Sequence, residues 1–216
     1  MKTLKIVLIA CLLGISFFSN AQLGETFRFG LTFSPMISWL KPEGANVSSE
    51  KIRFGFSYGL LSEIGFAENY AISTGFFVTH NGGKLLFSND SIDLSTSKHK
   101  LQYLEIPALF KLKTNEIGYM TYFGQIGITP AFRIKARSDV ENKVTGETLE
   151  DINTVDATRI FNLYLTVGAG LEYSLTDKTS LIVSLFYKNG LINTLKSDDD
   201  SKAFVNNLGV LVGVMF

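Results

Sequence analysis

Cysteine is almost missing from this chain: Cys11 is the only one, and it lies in a leader expected to be removed. Disulfide staples, thiol chemistry and cysteine metal sites are therefore excluded from the mature protein. Proline is scarce too, with 4 residues in 216, so extended backbone meets few interruptions. Net charge is absent, with 20 basic and 20 acidic residues and no basic stretch, which argues against nucleic acid as a partner. No apolar run reaches the roughly 20 residues of a spanning helix, and no segment reads as a helix. An exported chain without disulfides must take its stability from burial, closure or lipid.

Phenylalanine and glycine are abundant (18 and 19 residues), the usage of long strands and close packing rather than of a disordered chain. At the start, Lys2 and Lys5 precede the apolar run Ile6–Phe18, and Ser19-Asn20-Ala21 supplies small residues ahead of Gln22. This reads as a secretory signal over residues 1–21, cleaved between Ala21 and Gln22, leaving one domain over 22–216. A lipoprotein box at Leu8-Ile9-Ala10-Cys11 is rejected, because the apolar run continues past Cys11.

The other end alternates. Leu208, Val210, Val212, Val214 and Phe216 fall on one parity, while Asn207, Gly209, Leu211, Gly213 and Met215 fall on the other. Side chains of a strand alternate faces, so this is a strand with one continuous apolar face. A bare apolar strand at a terminus is a sticky edge unless the sheet closes on itself. Seven earlier segments show the same period, near residues 26–38, 51–66, 70–81, 99–113, 119–136, 159–173 and 179–189. Short turns at 67–69, 114–118 and 174–178 alternate with long polar connections at 41–50, 82–98, 137–158 and 192–202. That asymmetry predicts an all-β, eight-stranded antiparallel up-and-down transmembrane β-barrel of OmpA/OmpX-like architecture. With an even strand count, both termini fall on the short-turn, periplasmic side.

Two arrangements fit the alternation: apolar residues facing lipid, or apolar residues lining a lipocalin-like ligand cavity. The polar parity is rich in Gly, Ser and Thr and carries charges of both signs inside strands: Arg28, Glu63, Glu105, Lys111, Arg133, Glu172 and Lys188. Small residues and pairable ions suit the crowded inside of a narrow barrel better than a water-facing surface. These seven residues are expected to form a charge network in the lumen. Tyr58, Phe66, Tyr70, Tyr119, Tyr122, Tyr173 and Tyr187 are candidates for interfacial aromatic girdles.

Three stretches resemble a known family. Tyr103-Leu104-Glu105-Ile106-Pro107-Ala108-Leu109-Phe110-Lys111, Gly168-Ala169-Gly170-Leu171-Glu172-Tyr173 and Tyr187-Lys188-Asn189-Gly190-Leu191-Ile192-Asn193 are similar to strands of the Bacteroidota outer-membrane β-barrel family, often termed PorT-like. The leader likewise resembles Bacteroidota export signals. The resemblance implies residence in a Gram-negative outer membrane and contact with outer-membrane lipid and lipopolysaccharide. It also implies assembly by the outer-membrane barrel assembly machinery, with Phe216 as part of the assembly signal. It does not specify a surface partner or a role.

Chemistry is sparse. His80 and His99 bound one long connection that also holds Ser88, Ser91, Asp93 and Ser95. A rim-located lipid-modifying enzyme could use such residues, but a loop rich in Ser and Asp is ordinarily just polar. Asp198-Asp199-Asp200 lacks the converging oxygens and glycine turn of a calcium site. No metal, cofactor or catalytic residue is expected. The reading is a structural or surface-interaction barrel. A narrow pore for ions or small solutes, a lipid-modifying enzyme and a soluble binder are the alternatives.

Overall fold

The computed structural model describes residues 27–43, 47–89, 92–142, 148–153, 158–194 and 202–216. The leader with Ala21 and Gln22, Ser91, and Asp198-Asp199-Asp200 lie outside them. Eleven strand segments follow in order: β1 Phe27–Glu43, β2 Val47–Lys51, β3 Arg53–Ala67, β4 Tyr70–Asn89, β5 Ile92–Glu105, β6 Ala108–Lys113, β7 Met120–Asn142, β8 Thr148–Asn153, β9 Phe161–Ser174, β10 Ser180–Gly190 and β11 Lys202–Met215.

All pairings are antiparallel, and they close a ring of eight staves. β1 pairs β11 on one side (Phe33↔Val212) and β3 on the other (Phe33↔Tyr58). β3 and then β2 run along β4, and β4 pairs β5 and β6. β5 and β6 together face β7, and β9 and β10 complete the circuit to β11. β5 and β6 are one stave broken at Ile106 and Pro107. Proline has no N–H to give the ladder, whereas the Ile106 N–H still bonds the Pro130 carbonyl at 2.9 Å.

Closure removes the exposed edge that the last strand would otherwise present. Phe216 exchanges both backbone hydrogen bonds with Phe29 (3.2 and 2.7 Å), and their rings lie 5.8 Å apart. The short turns β3–β4, β6–β7 and β9–β10 share the rim with both described chain ends. In the β6–β7 turn Gly118 has φ +68°, and a Cβ there would touch nothing. Only left-handed backbone strain would then penalise Gly118→Ala, which is expected to lower unfolding stability by about 1 kcal/mol. A loss far above that in chemical denaturation would mean that the turn makes contacts beyond its backbone.

The apolar parity points outward. Phe29 is 52% exposed, while Glu63 and Lys111 are 1% and 0% exposed. This excludes the lipocalin-like arrangement, whose apolar face would line the cavity. Glycines on the inner face let neighbouring backbone approach closely: a Cβ on Gly59 would lie 2.0 Å from the Phe76 carbonyl oxygen.

Two expectations need correction. The polar connections at 82–98 and 137–158 are largely extended strand. β4 and β5 stay paired from Phe77↔Glu105 out to Asn89↔Ile92, and β8 adds to the outer end of β7. Backbone pairing needs no apolar face, so where lipid ends, strands continue without the alternation that marks them in sequence. The inner face is also less polar than expected. Leu61, Phe77, Phe123, Ile182 and Met215 form one buried apolar layer, and Leu40, Leu101, Tyr103, Tyr164 and Val205 belong to another.

Candidate functional site

The lumen is built as successive layers, each set by side chains of the inward parity. Nearest the short-turn rim lies a compact ion cluster. Lys111, on β6, donates to Glu63 of β3 and to Glu172 of β9, the latter at 2.5 Å. Arg28, on β1, donates to Glu172 at 2.5 Å and to the Ser180 hydroxyl, and its guanidinium is 3.9 Å from Glu63. Lys113 donates to Glu63 at 2.6 Å and sits 3.5 Å from Glu172. The Lys111 ammonium also lies 3.8 Å over the Phe123 ring. Three cations thus surround two carboxylates, an arrangement that satisfies buried charge through several partners at once.

Lys113, the last residue of the expected strand 99–113, lies outside the seven network candidates although it shares strand and parity with Lys111. Above the cluster comes the Leu61/Phe77/Phe123/Ile182/Met215 layer, and above that a small internal cavity of ≈50 Å³. Glu105 and Lys188 face each other there at 2.5 Å, and Ser184 also lines the space. Glu105 Oε1 and Ser184 Oγ have no protein partner, and the cavity has room for only a few water molecules to serve them. The outer apolar layer, with Tyr103 and Tyr164 fully buried, covers this cavity on the far side. On the short-turn side, a vestibule of ≈480 Å³ opens beneath the ion cluster, lined by Arg28, Glu116, Glu172, Asp177 and Ser180 among others.

The seven expected network residues therefore do not form one assembly. Arg28, Glu63, Lys111 and Glu172 come together with Lys113, and Glu105 and Lys188 form a separate pair. Arg133 stands apart, donating to the carbonyl of Thr158 and, at 2.5 Å, to its hydroxyl. It pins the segment that enters β9. Sequence parity places a residue on a face, but pairing depends on height and on which staves are neighbours.

The outer wall carries two sets of aromatics. Near the short turns, Phe66, Tyr70 and Phe110 lie within 5.9–6.2 Å of one another, and Tyr119 and Tyr173 within 6.3 Å. Towards the other rim, Trp39 stacks on Tyr187 (6.2 Å), and Phe56 stacks on Tyr58 (6.3 Å) and on His80 (4.6 Å). Trp39, the chain's one tryptophan, is a girdle residue beyond the seven candidates. His80 belongs to this wall. Its register partners are Phe56 and Gln102, and its Nδ1 has no hydrogen-bond partner. His99 pairs Gly83 further along the β4–β5 hairpin. Among the described residues, no group of His, Cys, Asp and Glu could hold a metal ion.

A family model for the outer membrane protein beta-barrel domain matches residues 19–196. No characterised protein gives a significant sequence match. Similar solved structures include Ail, the attachment invasion locus protein of Yersinia pestis, in complex with the heparin analogue sucrose octasulfate (17% identity, 88% of this chain and 99% of that chain, TM-score 0.42). Others are OprG from Pseudomonas aeruginosa (13% identity, 88% and 93% covered, TM-score 0.48) and the outer membrane protease OmpT from Escherichia coli (8% identity, 90% and 97%, TM-score 0.41). Likenesses at these values assign no task to the chain.

Proposed function

From the premise that this chain belongs to the outer membrane protein beta-barrel domain family, we propose that it is a non-catalytic barrel of the PorT-like, Bacteroidota kind, serving as an anchor for a surface-presented sheet. The carrying observation is the continuation of β4, β5 and β7 beyond the apolar wall, with β8 added to β7. That arm stands at the rim opposite the short turns. In this reading the short turns and both mature termini are periplasmic, and the arm meets partners outside the cell. Residues 1–21 are an export signal cut after Ala21. Phe216, closed onto Phe29, belongs to the signal read by the barrel assembly machinery, and lipid and lipopolysaccharide surround the wall.

Layered packing of the lumen supports an anchor over a pore. An ion cluster and two apolar layers lie across the axis, so continuous water would need several layers to move. The test starts from protein taken from the outer-membrane fraction. Its intact mass should correspond to 22–216, and it should run compact on a gel unboiled and slower once boiled. In planar bilayers it should give no steady single-channel steps. Regular steps would favour the narrow-pore alternative, and mobility indifferent to boiling would overturn the barrel itself. The compact band should weaken in membranes from cells expressing the chain without Phe216.

A further inference from the structure

Hydroxyls on neighbouring staves of the lumen satisfy one another. Ser57 pairs with Thr79 (2.9 Å) and Thr129 with Thr166 (2.8 Å). Glu105 Oε1 and Ser184 Oγ differ: neither has a protein partner, although their residues are only 1% and 3% exposed. Both residues line the internal chamber of ≈50 Å³, together with Leu61, Leu109, Phe186 and Leu211. An unpaired buried polar atom is costly, so two of them around one enclosed space mark a place for a guest.

The chamber sets the size and charge of that guest. Its volume holds about four water-sized groups. Glu105 and Lys188 already neutralise each other there at 2.5 Å. A charged guest would lack a counter-charge and would bear its full desolvation cost. The leucines and Phe186 suit a small hydrocarbon body, and the open oxygens suit a donor head.

The wall beside the chamber is thinly laced. Pro107 is part of the lining. The Ile106 N–H bonds the Pro130 carbonyl, so these two residues turn their backbone polar groups toward each other. Pro130 has no N–H to return, and the Ile106 carbonyl receives none from it. Pro107 turns the opposite way, towards β4, and brings no donor there either. The β4 pairing skips this point, between Phe77↔Glu105 and Thr74↔Ala108. One ladder bond is thus missing on each side of the stave, next to the enclosed space, which gives a small guest a way in.

We propose that the chamber binds a small uncharged molecule of about four non-hydrogen atoms. Its hydroxyl or amide head would bond Glu105 Oε1 and Ser184 Oγ, and its short apolar body would lie against Leu61, Phe186 and Leu211. The site needs only the closed barrel, not the surface arm.

The experiment is methyl NMR of the full barrel in deuterated detergent, titrated with propan-2-ol and with two charged molecules of the same size, isopropylammonium and acetate. The Leu61 and Leu211 methyls should shift to saturation, in roughly the millimolar range that so few atoms can supply. They should also show Overhauser contacts to the propan-2-ol methyls. The outward Leu185, 57% exposed, should show only the unsaturable drift of alcohol in the detergent. Neither charged molecule should bring the inner methyls to saturation. Ser184→Ala should bind propan-2-ol about fivefold more weakly, the loss of one net hydrogen bond, with heat-dependent gel mobility unchanged. Inner-methyl shifts that never saturate would leave water as the sole occupant and overturn the proposal whatever the variant does. Equal binding of isopropylammonium or acetate would overturn the uncharged class. Equal affinity of the folded Ser184→Ala barrel would overturn the assigned contacts.

Discussion

Lys111→Met should destabilise the barrel by about 3 kcal/mol in chemical unfolding from lipid vesicles. The Lys111 side chain is fully buried and bridges Glu63 and Glu172. Methionine keeps most of its volume but removes the one fully buried donor that bridges the two carboxylates. Arg28 and Lys113 still reach both carboxylates, so the loss belongs at the lower end of the range for a broken buried pair. Adding Glu63→Gln in the Lys111→Met background should recover little, because Arg28 and Lys113 would then share the single carboxylate of Glu172. A loss under 1 kcal/mol for the single variant would show that water reaches the cluster from the vestibule and screens it.

Two neighbours on β10 should behave in opposite ways. Leu185 is 57% exposed, in the middle of the strand, on the face read as lipid-facing. Leu185→Arg is expected to cost about 2–4 kcal/mol, the penalty for a cation near the bilayer midplane. In a water-soluble barrel the same change would be close to neutral. Ser184, one position earlier, is buried with an unpartnered hydroxyl. Ser184→Ala removes a polar group that no protein atom satisfies, so stability should stay the same or rise slightly. Both are read from the same vesicle unfolding curves. A harmless Leu185→Arg would contradict the membrane placement of this wall, whatever Ser184→Ala does.

Local pattern carried a great deal of this. Period-two alternation sorted residues onto two faces, and the small and oppositely charged residues of one face marked it as the inner one, because a narrow lumen has room for little else. The run Phe27, Phe29, Leu31, Phe33 and the closing run Leu208–Phe216 are examples. Short turns against long connections determined the rim that holds both described ends. Closure followed from an apolar last strand that needed a partner, and β1 is that partner.

Heights, neighbours and bulges came only with the tertiary structure. Glu105 and Glu172 look alike in sequence, yet one meets Lys188 and the other joins a five-residue cluster, because strand stagger sets which inward side chains share a level. Polar hairpins beyond the wall read as loops, since alternation fades where both faces meet water although the ladder continues. Ile134, an extra residue in β7 where the pairing with β5 shifts register, is the sharpest case. One extra residue reverses the faces of all that follows, and no local composition marks it, because a bulge is a relation between two strands rather than a property of one.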